Sequence, residues 1–265
     1  MMNRDMRTPE KAPEQAPEEE RREAPKEARK QAPEIAPDEP SAMPERYARR
    51  AALPAGRYSL LDPAALRERQ GRQRALCAML ARHGADPATL RVTEVGCGSG
   101  GNLLELLQIG FAPEHLHGIE LLPERHAAAR AVLPAATTLW LGDASVAPVP
   151  PLSQHLVLAA TVFSSLLDDA FQQRLAQAMW QWLAPGGAVV WYDFTVDNPR
   201  NADVRGVPLA RVRRLFPQGR FSGRRLTLAP PLARAACRVH PALHMLLNAL
   251  PMLRTHVLAW IAKPE

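Results

Sequence analysis

The run Glu94-Val95-Gly96-Cys97-Gly98-Ser99-Gly100-Gly101 constrains this chain more than any other feature. An apolar stretch at 90–96 leads into it and reads as a buried strand. The segment 102–108, with Leu103, Leu104, Leu106 and Leu107, follows as a helix. Glycines between a strand and a helix let the backbone turn tightly and approach a ligand. The unpaired N–H groups at the helix start attract an anionic group. A chain built around such a turn folds as alternating strands and helices.

The rest of the sequence keeps that alternation. Strand-like stretches recur at 117–121, 137–141, 155–160, 188–194, 225–228 and 256–261. Helices fit at 123–132 and at 168–183, where Phe171, Leu175, Met179 and Leu183 form one stripe. Another helix is expected to open at Asp62-Pro63, an N-cap and first-turn pair, and to stop near His83-Gly84. Strand and helix in regular turn imply an α/β domain, a mostly parallel sheet covered on both faces. Leu183-Ala184-Pro185-Gly186-Gly187 reads as the turn before the fifth strand. Segment 232–250, bent by Pro241, is an apolar insertion that would pack on the sheet, cover the cleft or press on a membrane surface.

Ahead of the domain, Ala-Pro-acid units recur through residues 1–45 among Glu, Lys and Arg. So little apolar surface cannot form a core, and the expectation is a disordered tail at 1–45 before a packed domain at 46–265, ordered from about residue 57. The tail holds 8 Lys/Arg and 12 Asp/Glu, the domain 25 and 15, a balance of +10. From Arg205 to Glu265 there are 11 basic residues and a single acid. That excess suits polyanions or anionic lipid, although arginine is also the ordinary occupant of solvated faces. Cys77, Cys97 and Cys237 lie too far apart for a zinc or disulfide framework. His240 and His244 are separated by Pro241, and no metal site is expected. No run of 18 apolar residues occurs, and a cytoplasmic location is the default expectation.

The glycine loop fits two motifs, E-x-G-x-G-x-G over 94–100 and G-x-G-x-x-G on Gly96, Gly98 and Gly101. The second suits the pyrophosphate of a dinucleotide, the first the carboxylate of S-adenosyl-L-methionine. Glu120, 19 residues past Gly101, can accept both hydrogen bonds of a ribose diol, which both ligands carry. Gly142-Asp143-Ala144 supplies a side-chain acceptor for an adenine amine and favours the methyl donor.

On these motifs, together with the Pro185-Gly186-Gly187 turn and a final strand at 257–261, the stretch 57–262 resembles the class I S-adenosylmethionine-dependent methyltransferases. The resemblance implies a Rossmann-like, doubly wound sheet of about seven strands with the last antiparallel. It implies Gly96, Cys97, Gly98 and Gly100 around the methionine part of the cofactor and Glu94 near its ammonium group. Glu120 would hold the ribose, Leu121 the adenine face, Asp143 and Ala144 the adenine edge, and Thr161 the region beneath the sulfonium. Many members carry an Asp near the start of the fourth strand, where this chain has Ser153-Gln154-His155.

Ligands of open α/β sheets lie beyond the carboxyl ends of the strands, which puts the acceptor near 161–165 and 192–205. Asp193 is the expected general base and Tyr58 a residue that closes over the cofactor. Ser164, Asn198, Arg200 and Asn201 are the expected acceptor contacts. The acceptor expected is a glycan or other polyhydroxylated small molecule. RNA methylation is the alternative raised by the basic domain, although no RNA-binding module accompanies it. A nicotinamide-dependent oxidoreductase is the alternative from another class, but a Tyr-x-x-x-Lys pair is ruled out because no lysine lies between Lys30 and Lys263. Oligomeric state is not legible.

Overall fold

The computed structural model describes residues 38–51, 59–199 and 201–265. Seven strands, β1 (Val92–Val95), β2 (Leu116–Glu120), β3 (Thr138–Leu141), β4 (Gln154–Ala160), β5 (Leu183–Phe194), β6 (Arg220–Leu228) and β7 (Arg254–Ala262), form one sheet. Their order is β3-β2-β1-β4-β5-β7-β6. The first five run parallel, and β7 lies antiparallel to both β5 and β6. The Rossmann-like α/β sheet with its last strand antiparallel is therefore present.

Side chains alternate between the two faces of the sheet, as a strand's period of two requires. Val157, Ala159, Val189, Trp191, Val257, Ala259 and Ile261 enter one core layer. Helices α5 (Asp169–Trp182) and α6 (Leu209–Leu215) cover it through Phe171, Leu175, Met179, Val212 and Leu215. Leu156, Leu158, Val190, Tyr192, Leu258 and Trp260 enter the other layer. There α2 (Pro63–Arg82), α3 (Gly101–Ile109) and α4 (Pro123–Val132) contribute Leu76, Leu80, Leu103, Leu106 and Ala129.

Local signals end the helices where the sequence places them. Asp62 caps α2 by accepting from the Ala64 and Ala65 amides at 2.9 Å, and Asp168 caps α5 in the same way. The insertion breaks at His240-Pro241 into α7 (Pro230–Val239) and α8 (Pro241–Ala249). One expected turn is corrected: Pro185-Gly186-Gly187 lies within β5. Leu183 pairs with Gln154 and Ala188 with Leu156, so 184–187 bulge out of the ladder without ending the strand. At the departure from the family pattern, buried Gln154 accepts a hydrogen bond from Thr93 Oγ1 at 3.0 Å.

The expected boundary after residue 45 is also corrected, because it falls inside α1 (Glu39–Ala51). Composition hides this helix, which contains Pro44 and continues the charged pattern of the tail. Tertiary contacts define it. Buried Glu39 accepts from the Leu167 and Asp168 amides at 2.9 and 3.0 Å and pairs with Arg46, which donates to the Ser165 carbonyl at 3.1 Å. Met43 enters the α5 core layer, and Arg49 clasps both oxygens of Asp203. Replacing Glu39 by Ala strands two amides and a largely buried guanidinium. Equilibrium urea unfolding of Glu39→Ala is expected to show a loss of about 3 kcal/mol, read as a lower midpoint.

Candidate functional site

The sheet reverses its order between β1 and β4, and the crevice lies where their carboxyl ends part. Pairing aligns Val95 with Ile119 and Ala159, and Glu120 with Leu141. The glycine loop, Glu120, the Gly142-Asp143 corner and Thr161 thus end four neighbouring strands on one edge.

Gly96, Gly98 and Gly100 take φ of +63°, +59° and +82°, a region that L side chains rarely enter. Glu120 fixes the resulting turn. Its Oε2 accepts from the Gly98 amide at 2.7 Å and its Oε1 from the Leu122 amide at 2.9 Å, so one buried carboxylate ties the loop after β1 to the loop after β2. Remaining lone pairs on the same oxygens are the acceptors a ribose diol needs. Cys97 is buried, its amide donates to the Ile119 carbonyl at 2.9 Å, and burial pushes its thiol far above the usual range. It packs the turn and offers no nucleophile. Leu121 and Ala144 are half-buried beside Glu120 and Asp143.

Glu94 is fully buried at the end of β1. Its Oε1 accepts from Asn102 Nδ2 at 2.5 Å, while its Oε2 is buried without a partner among the described residues. Burial pushes its carboxyl up to about 7. An orphaned buried carboxylate oxygen beside a glycine turn fits the ammonium of S-adenosyl-L-methionine, and a dinucleotide pyrophosphate has no cation for it.

Asp143 turns its carboxylate to Ser145, accepting from the amide at 2.8 Å and the hydroxyl at 2.9 Å. Thr161 sits at φ +55°, an outlier for a β-branched residue. Its amide donates to the Tyr192 carbonyl at 2.7 Å, which holds the strain at the mouth of the crevice. Asp193, expected to face the acceptor as a base, is instead buried beneath the 163–165 turn. It accepts from the Ser164 amide at 3.0 Å and the Phe194 amide at 2.9 Å, and burial raises its carboxyl to about 7. With both oxygens engaged it positions Ser164, which is buried too. Asn198 is exposed and its carbonyl accepts from the Asn201 amide, while Asn201 Oδ1 accepts from the Asp203 amide at 3.1 Å. Part of that loop's polarity therefore shapes the loop itself. Tyr58 and Arg200 lie outside the described residues.

Sequence reasoning missed a polar cluster across the end of β5. Tyr192 is buried, with its hydroxyl 2.8 Å from Thr227 Oγ1 and 3.5 Å from Glu68 Oε1. Thr227 is itself held at φ +62°. Arg72 stands 5.5 Å over the Tyr192 ring, bonds Glu105 at 3.0 Å and acts electrostatically on both Glu68 and Glu94. Burial raises the Glu68 carboxyl, and Arg72 opposes the rise. Within α2 only Arg72, four residues on, accompanies Glu68, and the hydroxyls that complete the cluster come from β5 and β6. Tyr47 was missed for the same reason. It stands under the Arg125 guanidinium at 4.8 Å, and that guanidinium fills the space a Cβ on Gly98 would need.

A cationic ligand group can pair with Glu94 only after the carboxyl loses its proton. Affinity for S-adenosyl-L-methionine is therefore expected to rise with pH to about 7 and level off above, by up to about tenfold per pH unit. Calorimetry from about pH 6 to pH 8 checks this, and Glu94→Gln should remove the dependence.

Residues 92–187 match a family model described as a methyltransferase domain. Among solved structures, an S-adenosylmethionine-dependent methyltransferase from Mesorhizobium loti is 17% identical, with 70% of this chain and 96% of that one covered, at a TM-score of 0.52. A possible histamine N-methyltransferase from Thermotoga maritima is 14% identical over 83% and 98% of the chains, at 0.55. A putative methyltransferase of Haloferax volcanii, solved with the Trm112 methyltransferase activator, is 18% identical over 80% and 97%, at 0.55. No curated protein matches. At such identities the structures establish the fold. The matched domain decides between the two readings of the glycine loop: residues 92–187 are similar to a methyltransferase domain, the fold is that of S-adenosylmethionine-dependent methyltransferases, and the protein is an enzyme whose cofactor is S-adenosyl-L-methionine.

Proposed function

We propose that this methyltransferase acts at oxygen, on a hydroxyl of a glycan or other polyhydroxylated small molecule, with Glu68 as the proton acceptor. The carrying observation is the cluster Glu68, Tyr192 and Thr227 at the carboxyl end of β5, next to the crevice. Two hydroxyls and a carboxylate of raised basicity match an acceptor that presents several hydroxyls and must lose one proton. Bound in the crevice, the cofactor supplies an electrophilic methyl group on a positively charged sulfur. An acceptor oxygen would take that methyl as the carbon–sulfur bond gives its electrons to sulfur, and Glu68 would accept the hydroxyl proton. Products are a methyl ether and S-adenosylhomocysteine.

Alignment of oxygen, carbon and sulfur is the protein's main contribution to such a displacement. Glu94 and Glu120 would orient the donor through its ammonium and its ribose, and strained Thr161 would border the methyl group. Tyr192 and Thr227 would orient the acceptor hydroxyl toward Glu68, and Asn198, Arg200 and Asn201 would meet its distal groups. Asp193 would act through Ser164, as a positioning residue.

The test is transfer of labelled methyl from S-adenosyl-L-methionine to a panel of polyhydroxylated acceptors. Glu68→Gln should lower kcat by roughly 10² to 10⁴ while calorimetric affinity for the donor stays unchanged. Equal activity of Glu68→Gln on hydroxyl acceptors, or transfer confined to amines, would reject the assignment.

A further inference from the structure

The helices α7 and α8 are built the wrong way round for contact with water. Small residues, Ala233 and Ala236, point inward, while Leu232, Val239, Met245, Leu246, Leu250 and Met252 are exposed, Val239 at 76% and Met252 at 82%. Of the exposed positions from 231 to 252, only Arg238 and His240 are polar. A solvated helical hairpin carries the opposite pattern. The surface continues toward α2, whose first-turn Ala64 packs with Ala233 and Leu228, and just before it Leu61 is 94% exposed. Contiguous apolar exposure of this kind marks an interaction surface.

Charge identifies the partner. No Asp or Glu occurs from residue 204 to 264. Arg238 on α7, Arg254, which donates to the Asn248 carbonyl of α8, and Arg225 of the edge strand β6, which donates to the Arg254 carbonyl, flank the apolar corner, and none of the three forms an ion pair among the described residues. A second copy docked by two-fold symmetry would set arginine against arginine. An RNA would leave the leucines and methionines in water, and the segment 230–252 has no Phe, Tyr or Trp on which a base could stack. Among the described residues no helix is long and apolar enough to cross a bilayer. Helices with an apolar outer face and a basic rim lie in the interface of a bilayer, with the apolar side chains among the acyl chains and the arginines at the headgroups.

We propose that the α7–α8 corner docks this enzyme peripherally on an anionic lipid surface. The inference does not depend on the acceptor or on Glu68, and its test needs no turnover. The full chain is sedimented with vesicles of phosphatidylcholine alone or mixed with phosphatidylglycerol, at low and at raised salt. Binding is expected to the mixed vesicles and to weaken with salt. Arg238→Ala should lower the partition coefficient roughly fivefold. The double variant Leu246→Asp/Met252→Asp should lower it by at least about tenfold, with unchanged thermal unfolding and donor affinity. Binding that ignores phosphatidylglycerol, or that survives the double aspartate variant, overturns the proposal. So does a concentration-dependent dimer that the aspartates abolish, or RNA binding that depends on Arg238 in place of vesicle binding.

Discussion

One carboxylate holds the glycine-turn edge of the sheet in shape. Glu120 ends β2, yet its oxygens bind the amides of Gly98 and Leu122, which belong to two different loops. The glycine turn can adopt its left-handed conformation without help, but backbone permissiveness alone gives an ensemble. A buried acceptor with two fixed amide donors selects one member of it. Preorganisation of this kind matters for methyl transfer, where the sulfonium is already a good leaving group and the rate depends on geometry. Glu94 stands beside it on the next strand, with one buried oxygen that has no partner among the described residues.

The polar cluster across the end of β5 is assembled differently. Its groups come from α2, β5 and β6, far apart in the chain, and they are joined through Tyr192. Two β-branched residues, Thr161 and Thr227, are held in left-handed backbone on either side of that tyrosine. Such conformations cost of order 1–3 kcal/mol each and persist where surrounding contacts enforce them. Here the Tyr192 carbonyl enforces one and its hydroxyl contacts the other. Helix α1 closes the neighbouring loops through Glu39, Arg46 and Arg49, so the segment that looks most like linker organises the turn above Asp193.

What was legible follows from the range of the interactions. Motifs whose members lie within a few residues gave their structure directly: Asp62 and Asp168 as caps, the 123–132 helix, the break at Pro241, the glycine turn. The Pro185-Gly186-Gly187 signal was correct as punctuation and misplaced as a strand boundary, because pairing of Leu183 with Gln154 was not visible locally. Asp193 was correctly placed at a strand end, but the direction of its side chain depends on the 163–165 turn that folds over it.

The sequence by itself determined the alternation of strands and helices, the sheet they form, and the residues that stand at the turns along its carboxyl edge. Those properties arise from hydrophobic period, chain punctuation and backbone conformation, all of which act over short distances along the chain. Tertiary structure alone decided which carboxylates are free and which are engaged, that Glu39 is a buried anchor, that Glu68 meets Tyr192, and that the apolar side of α7 and α8 faces outward. Burial, desolvation and hydrogen-bond partners come from residues distant in sequence, and they set the chemistry of an ionisable group.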